Sequence, residues 1–178
     1  MSVGAAVERA AAARDWAVRS LSAAGIAPEA LAEFVPAGKR LLIFPRAATM
    51  RPIGEVWRLG RLLLGTSGDL FALGTATRAA ERGRVGYQSL SREARKDIAA
   101  AALHGGYPIG TPVNFNAAPL PLTEDALGQL GTDAPIGVAD GEVRVRWRDG
   151  ATLAGAPTLA AYLAERVELL INPPFGRN

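Results

Sequence analysis

The spacing of apolar residues along the chain predicts helices in several separate stretches. In the longer stretches apolar residues recur at helical spacing, which is typical of a helix with one buried face. The shortest stretch opens with Pro28, a residue that favours the first turn of a helix. The predicted helices cover residues 2–24, 28–34, 91–103 and 157–171.

Shorter apolar runs, bounded by glycine, proline and polar residues, predict the strands. Two of them flank Gly65–Asp69, whose small and polar residues predict a hairpin loop. Gly60 and Gly74 interrupt the same strands, which indicates bends or a close approach of backbone. The predicted strands cover residues 41–44, 56–64, 70–77 and 113–115, and no regular element is expected in 116–122.

The clearest strand signal lies in residues 135–148. Asp140-Gly141 predicts a two-residue turn, and strictly alternating residues follow it. The face expected to be buried carries Val143, Val145 and Trp147. The face expected to be in solvent carries an arginine stripe, Arg144, Arg146 and Arg148.

Together these elements predict an α+β fold. We expect an antiparallel meander sheet, or a partly rolled barrel, covered by helices 91–103 and 157–171, with the N-terminal helix packed across it. We expect the chain to divide into a helical N-terminal extension, residues 1–36, and a single α+β domain, residues 37–178. A chain of 178 residues buries enough surface to fold without a disulfide or a metal.

Composition excludes several kinds of chemistry. The chain has no cysteine, which removes disulfides, thiolate metal sites and cysteine nucleophiles. Its single histidine, His104, rules out a site with several histidine ligands. We therefore predict no metal and no cofactor. The net charge of +3 comes almost entirely from arginine, which together with abundant alanine indicates the coding bias of a GC-rich bacterial genome.

Neither the length nor the placement of the apolar runs predicts a membrane segment. No run reaches the roughly 18 apolar residues that a spanning helix needs. Charged residues interrupt the alanine-rich start of the chain, so it lacks the shape of a signal peptide. We therefore expect a cytoplasmic protein.

Catalytic motifs are incomplete in this sequence. His104-Gly105-Gly106 is similar to the oxyanion element of esterases, but no G-x-S-x-G motif supplies a nucleophile. Loops that cradle phosphate are missing as well. Glu124-Asp125 is the one adjacent carboxylate pair, and it is better explained as the start of a short helix after Thr123. A small enzyme with its site in loop 104–116 remains an alternative, using His104, Tyr107 and Asn114.

A pattern in the predicted hairpin resembles a known family. Residues 57–64 read Trp-Arg-Leu-Gly-Arg-Leu-Leu-Leu, and Gly68, Leu70 and Gly74 follow them. This pattern is similar to the opening meander of GRAM and pleckstrin-homology-like barrels. Residues 57–116 as a whole also resemble a group of proteins from GC-rich bacteria with no assigned activity. The resemblance implies a non-enzymatic module that binds lipid headgroups or peptides, and it transfers no site residue.

The residues that remain favour a non-catalytic binding or assembly module. Trp16 lies opposite the apolar stripe of its helix, so either the rest of the chain or another subunit must cover it. The arginine stripe offers a second contact surface for a protein partner or an anionic ligand. Nucleic acid is a further alternative, but it is disfavoured because Trp147 is expected on the opposite face from the arginines.

Overall fold

The computed structural model describes residues 2–40, 44–83 and 90–174 and confirms an α+β fold. Within these ranges four helices accompany a mixed sheet of seven strands and two small two-stranded sheets. The helices are α1 (Val3–Ala23), α2 (Leu90–His104), α3 (Glu124–Gln129) and α4 (Leu159–Ile171). The strands are β1 (Glu29–Val35), β2 (Gly38–Arg40), β3 (Phe44–Arg46), β4 (Thr49–Leu59), β5 (Leu62–Gly65), β6 (Leu70–Ala72), β7 (Thr75–Arg78), β8 (Pro112–Phe115), β9 (Ala118–Pro119), β10 (Ile136–Ala139) and β11 (Glu142–Val145).

The large sheet is open, and its strand order is β7-β8-β1-β4-β5-β6-β9. It is mixed because β1 and β8 run parallel, whereas β1–β4, β5–β6, β6–β9 and β7–β8 are antiparallel pairs. A parallel pair needs a long connection, which the chain between β1 and β8 provides. The predicted antiparallel pairing is therefore confirmed for part of the sheet only. The sheet does not close into a barrel, which was the predicted alternative.

The chain folds as two compact units, each made from separated stretches of sequence. The first unit contains Met1–Pro28, Trp57–Leu73 and Ala118–Asn178. The second unit contains Glu29–Val56 and Gly74–Ala117. Strand β4 contributes residues to both units. The boundary predicted after residue 36 stays a prediction about which part of the chain folds alone.

Helix α1 forms as predicted and supplies one wall of the core of the first unit. Ser2 caps it by accepting a hydrogen bond from the backbone N–H of Ala5. Its buried face is made mostly of alanine, which lets α4 and β11 pack closely against it. The buried residues of this face are Ala6, Ala10, Ala17 and Leu21.

A tight turn at Gly60 divides the predicted strand 56–64 into β4 and β5, so the single continuous strand was wrong. Gly60 has a φ of 61°, a conformation that a residue with a Cβ adopts only at a cost. Tyr162 of α4 fastens this turn: its hydroxyl accepts from the Arg61 N–H at 2.8 Å and donates to the Leu59 carbonyl at 3.0 Å. The turn thereby fixes α4 against the hairpin.

Strand β1 replaces the short helix that was predicted for residues 28–34. In the second unit it lies between β4 and β8, so both of its edges are hydrogen-bonded. Leu31 and Ala32 are buried there. The helical preference of alanine, leucine and glutamate amounts to tenths of a kcal/mol per residue, and the two ladders of the sheet override it.

Helix α2 and β8 confirm their predictions and close the second unit. Two glycines allow the close approaches that pack these elements. A Cβ on Gly74 would lie 2.2 Å from the Phe115 carbonyl oxygen, and one on Gly105 would lie 2.0 Å from the Met50 carbonyl oxygen. The close backbone approach predicted at Gly74 is thus confirmed, and Gly105 seats the end of α2 on β4.

Three further predictions have different outcomes. The hairpin loop Gly65–Asp69 is confirmed, because β5 and β6 pair antiparallel across it. Residues 116–122 were expected to lack regular structure, but β9 pairs with β6 within them. The predicted strand 41–44 lies mostly outside the described residues, which resume at Phe44 in β3.

Candidate functional site

The predicted turn at Asp140-Gly141 forms and joins β10 to β11. Asp140 and Gly141 have φ values of 53° and 72°, as a two-residue hairpin turn with a left-handed backbone requires. Glu142 through Val145 then pair with Ile136 through Ala139. Val143 and Val145 are buried as predicted. The hairpin therefore sets the direction of every side chain up to Val145.

Beyond Val145 the strand ends, and the predicted alternation is wrong for the next two side chains. The Arg146 N–H still donates to the Pro135 carbonyl in register with β10, but Pro135 has no N–H to donate in return, so the ladder ends here. The Val145 N–H points away from β10 and donates to the Pro157 carbonyl. Arg146, which was expected in solvent, is only 8% exposed. Trp147, which was expected in the core, is 69% exposed. Period-two alternation holds only while a strand continues.

Arg144 turns back onto the hairpin rather than presenting a free cation. Its Nε donates to the Ala139 carbonyl at 3.2 Å, and its Nη1 donates to the Ala156 carbonyl. Its guanidinium also forms an ion pair with Asp140 at 3.5 Å. The side chain is only 18% exposed. The three arginines of the predicted stripe therefore do not form one solvent face.

Arg146 is held in the interior of the first unit by backbone carbonyls. Its Nε donates to Ala151 at 2.8 Å, and its Nη1 donates to Ala134 at 2.9 Å and to Ile136 at 3.2 Å. Among the residues that the structure describes, its acceptors are all carbonyl oxygens. No carboxylate in those residues neutralises the charge at contact distance.

A cavity of about 460 Å³ opens beside Arg146, and we call it the Arg146 pocket. Its apolar wall consists of Val3, Leu127, Leu130, Val138 and Leu153. Two carboxylates, those of Glu124 and Asp125, also line it. These acidic residues begin α3 as predicted, since Thr123 caps that helix. The pocket thus combines one buried cation, an apolar wall and an acidic side.

Gly137 leaves room beside the guanidinium in this pocket. A Cβ at Gly137 would lie 2.7 Å from Leu153 Cδ1 and 3.3 Å from Arg146 Nη1. An isolated glycine inside a strand often marks a place where another group approaches the backbone. That signal was present in the sequence, but the residue was not singled out as part of a site.

Three exposed residues that follow Arg146, together with the half-buried Arg61, form what we call the Trp147 patch: Trp147, Arg148, Asp149 and Arg61. The Arg148 guanidinium lies over the Trp147 ring, 4.6 Å from its centroid. Arg61 forms an ion pair with Asp149. The patch therefore presents a large apolar ring flanked by charges of both signs.

Trp16 is 41% exposed on α1, so the described part of the chain covers it only in part. It remains one of the larger exposed apolar side chains of the first unit. Its indole N–H donates no hydrogen bond within the described residues. Its predicted role as a contact residue stays a prediction.

The three polar residues predicted for loop 104–116 do not converge on one site. His104 Nδ1 lies 3.2 Å from the Ala48 carbonyl oxygen. The His104 side chain also lines a cavity of about 360 Å³, together with Arg82 and Asp97. Tyr107 and Asn114 do not line that cavity. Asn114 is buried and donates to the Glu29 carboxylate at 2.8 Å.

Two ionisable side chains of the second unit, Tyr107 and Arg82, have raised pKa values. Burial raises the pKa of Tyr107, whose hydroxyl is sealed from solvent and has no hydrogen-bond partner among the described residues. The hydrogen bond and charge of Asp97 raise the pKa of Arg82, which pairs with it. Both shifts move the pKa away from neutral pH, whereas a general acid or base that works near neutral pH requires a pKa close to it.

No protein-family model, curated protein or solved structure matches this chain. None of the helices in residues 2–40, 44–83 and 90–174 is both long and apolar enough to cross a membrane. The same residues contain no group of three or more histidine, aspartate and glutamate side chains placed to hold a metal ion.

Proposed function

We propose that the chain is a non-catalytic binding module that docks a protein partner on the Trp147 patch. The observation that carries this proposal is the 69% exposure of Trp147, with Arg148 stacked on its ring. A tryptophan in water exposes a large apolar area, and tryptophan and arginine are the residues most enriched among the energetic anchors of protein interfaces.

The charges around Trp147 favour a protein over a nucleic acid. A single strand of nucleic acid needs a basic track for its phosphates as well as a ring for stacking. Arg144 and Arg146 cannot provide that track, because both are bound to carbonyl oxygens of the chain. Asp149, whose side chain is 70% exposed, would repel phosphate. The partner surface that fits is an apolar pocket for the indole with a carboxylate for Arg148.

The resemblance of residues 57–64 to GRAM and pleckstrin-homology-like barrels implies a similar role, but the large sheet of this chain is open. The proposal therefore rests on the Trp147 patch and not on the resemblance. The enzyme alternative has less support, because His104, Tyr107 and Asn114 have separate surroundings in the described residues.

The test compares the full-length chain with two variants in one binding assay. Proteins captured by the tagged chain from its own cells are identified by mass spectrometry, purified and titrated against it. Trp147→Ala should weaken the binding by about 2 kcal/mol or more, roughly thirtyfold. Ile109→Ala is the matched control, since Ile109 is 65% exposed but lies in the second unit. It should leave the affinity unchanged.

Three results would overturn the proposal. One is a partner that binds the wild type and Trp147→Ala equally well. Another is the absence of a protein partner together with salt-dependent binding of mixed oligonucleotides, which would favour nucleic acid. The third is binding to anionic lipid vesicles that Trp147→Ala abolishes while protein binding persists.

A further inference from the structure

Arg146 has more hydrogen-bonding capacity than the chain uses. A guanidinium carries five N–H donors, and the carbonyls of Ala134, Ile136 and Ala151 take those of Nε and Nη1. The two N–H groups of Nη2 have no acceptor among the described residues. Nη2 does not belong to the buried side-chain atoms that lack a hydrogen-bond partner, so it keeps some contact with solvent. The cavity that Arg146 lines is the Arg146 pocket.

A buried charge that has no carboxylate in direct contact is costly, and an anion that binds Arg146 directly would offset that cost. Arg146 is only 8% exposed, so solvent screens its charge weakly inside the pocket. The cavity of about 460 Å³ lies within the range of small-molecule sites. Gly137 leaves free the space beside the guanidinium, because a Cβ there would lie 3.3 Å from Nη1 and 2.7 Å from Leu153 Cδ1.

We propose that the Arg146 pocket binds the carboxylate of a small organic molecule with an apolar body. The carboxylate accepts from Nη2, and the apolar body lies against Leu127, Leu130 and Leu153. Glu124 and Asp125 disfavour a dianion such as phosphate, since two further negative charges line the same cavity. An ammonium group on the ligand is compatible with them, so aliphatic acids and aliphatic amino acids share the chemistry that is required.

The test is calorimetric titration of the full-length chain with isovalerate, leucine, isovaleramide and inorganic phosphate. Titration to about 20 mM covers affinities in the millimolar range. We expect isovalerate or leucine to bind. Isovaleramide should bind at least roughly tenfold more weakly than isovalerate, because it is a neutral molecule of the same shape and loses a charge-assisted hydrogen bond. A preference for leucine would identify amino acids as the source of the carboxylate, and a preference for isovalerate would identify simple acids.

The decisive variant is Gly137→Ala, which keeps the Arg146 side chain itself. Its methyl group would occupy the space between Leu153 and the guanidinium, so the affinity should fall at least roughly tenfold. Gly131→Ala is the control, since a Cβ there meets nothing within 4 Å and Gly131 does not line the pocket. If Gly137→Ala does not fold, Leu153→Phe narrows the same cavity from its apolar wall.

The proposal fails if neither carboxylate binds, because Arg146 would then serve only to tie its three carbonyls together. It also fails if phosphate binds more tightly than both carboxylates, or if Gly137→Ala binds as well as the wild type. Trp147→Ala should bind the carboxylate normally. The outcome is therefore independent of whether the Trp147 patch docks a protein.

Discussion

At the scale of single residues, two tyrosine hydroxyls show opposite hydrogen-bonding states. The hydroxyl of Tyr162 is buried and bonded on both sides, to the Arg61 N–H and the Leu59 carbonyl. The hydroxyl of Tyr107 is sealed from solvent and has no partner in the described residues. A buried polar group costs free energy unless it is hydrogen-bonded. The same substitution should therefore have opposite effects at the two positions.

Tyr162→Phe is expected to destabilise the chain, whereas Tyr107→Phe should be neutral or stabilising. Removing the Tyr162 hydroxyl leaves a backbone donor and a backbone acceptor without their partner, a loss of about 1–3 kcal/mol in the free energy of unfolding. Removing the Tyr107 hydroxyl deletes an unpartnered group, with a gain of up to about 1 kcal/mol. Urea unfolding at neutral pH measures both. Equal losses in the two variants would contradict the assigned hydrogen bonds.

The raised pKa of Tyr107 also gives that variant a distinct dependence on pH. The folded state keeps this phenol protonated at a pH where the unfolded chain ionises it. The resulting stability is present below the ordinary pKa of 10.0 and is lost as the pH rises through the folded value. Tyr107→Phe should therefore lose less stability than the wild type above about pH 10. Parallel urea curves across this range would be inconsistent with burial of the phenol.

Residue identity alone could not have placed Arg146 and Trp147 correctly. Side chains alternate between the two faces as far as Val145, because the β10–β11 ladder enforces it, but the face that carries Arg144 is largely covered. Arg144 and Arg146 are held by the carbonyls of Ala156 and Ala151, which lie beyond the hairpin and which no local pattern reveals. The pocket beside Arg146 could not be predicted for the same reason. Gly137 was the one local signal for it.

At the scale of elements, helices were predictable because their signals are local. Caps at Ser2, Thr123 and Thr158 and the apolar periodicity of α1, α2 and α4 are all present in short windows of sequence. Strand β1 was missed because its identity depends on partners far along the chain. It pairs with β4 on one edge and with β8 on the other.

Glycines that lie in close contact with the backbone of another element can be tested by substitution. Gly74→Ala should destabilise the chain by more than about 2 kcal/mol, because its Cβ would lie 2.2 Å from the Phe115 carbonyl oxygen and backbone cannot easily move away. Gly54→Ala is the matched control within β4, since a Cβ there meets nothing within 4 Å. Its effect should be within about 0.5 kcal/mol.

Thermal unfolding followed by circular dichroism would compare the two glycine variants. A lower midpoint for Gly74→Ala than for Gly54→Ala is expected. Equal midpoints would mean that β7 and β8 do not approach as closely as their register implies.

At the scale of the whole molecule, the two units are interleaved along the chain, and this makes the boundary after residue 36 testable. A fragment of residues 37–178 lacks α1, whose Leu21 and Ala17 lie in the core of the first unit. It also lacks β1, so β4 and β8 in the second unit lose the strand between them. We therefore expect this fragment to unfold without a cooperative transition and to give a poorly dispersed amide NMR spectrum.

The control is the full chain with a short Gly-Ser insertion between Pro36 and Ala37, both of which are exposed. This insertion keeps every element and should preserve cooperative unfolding, since surface connections tolerate added length. A well-dispersed spectrum from 37–178 would instead show that the residues after the boundary fold alone, as the sequence predicted.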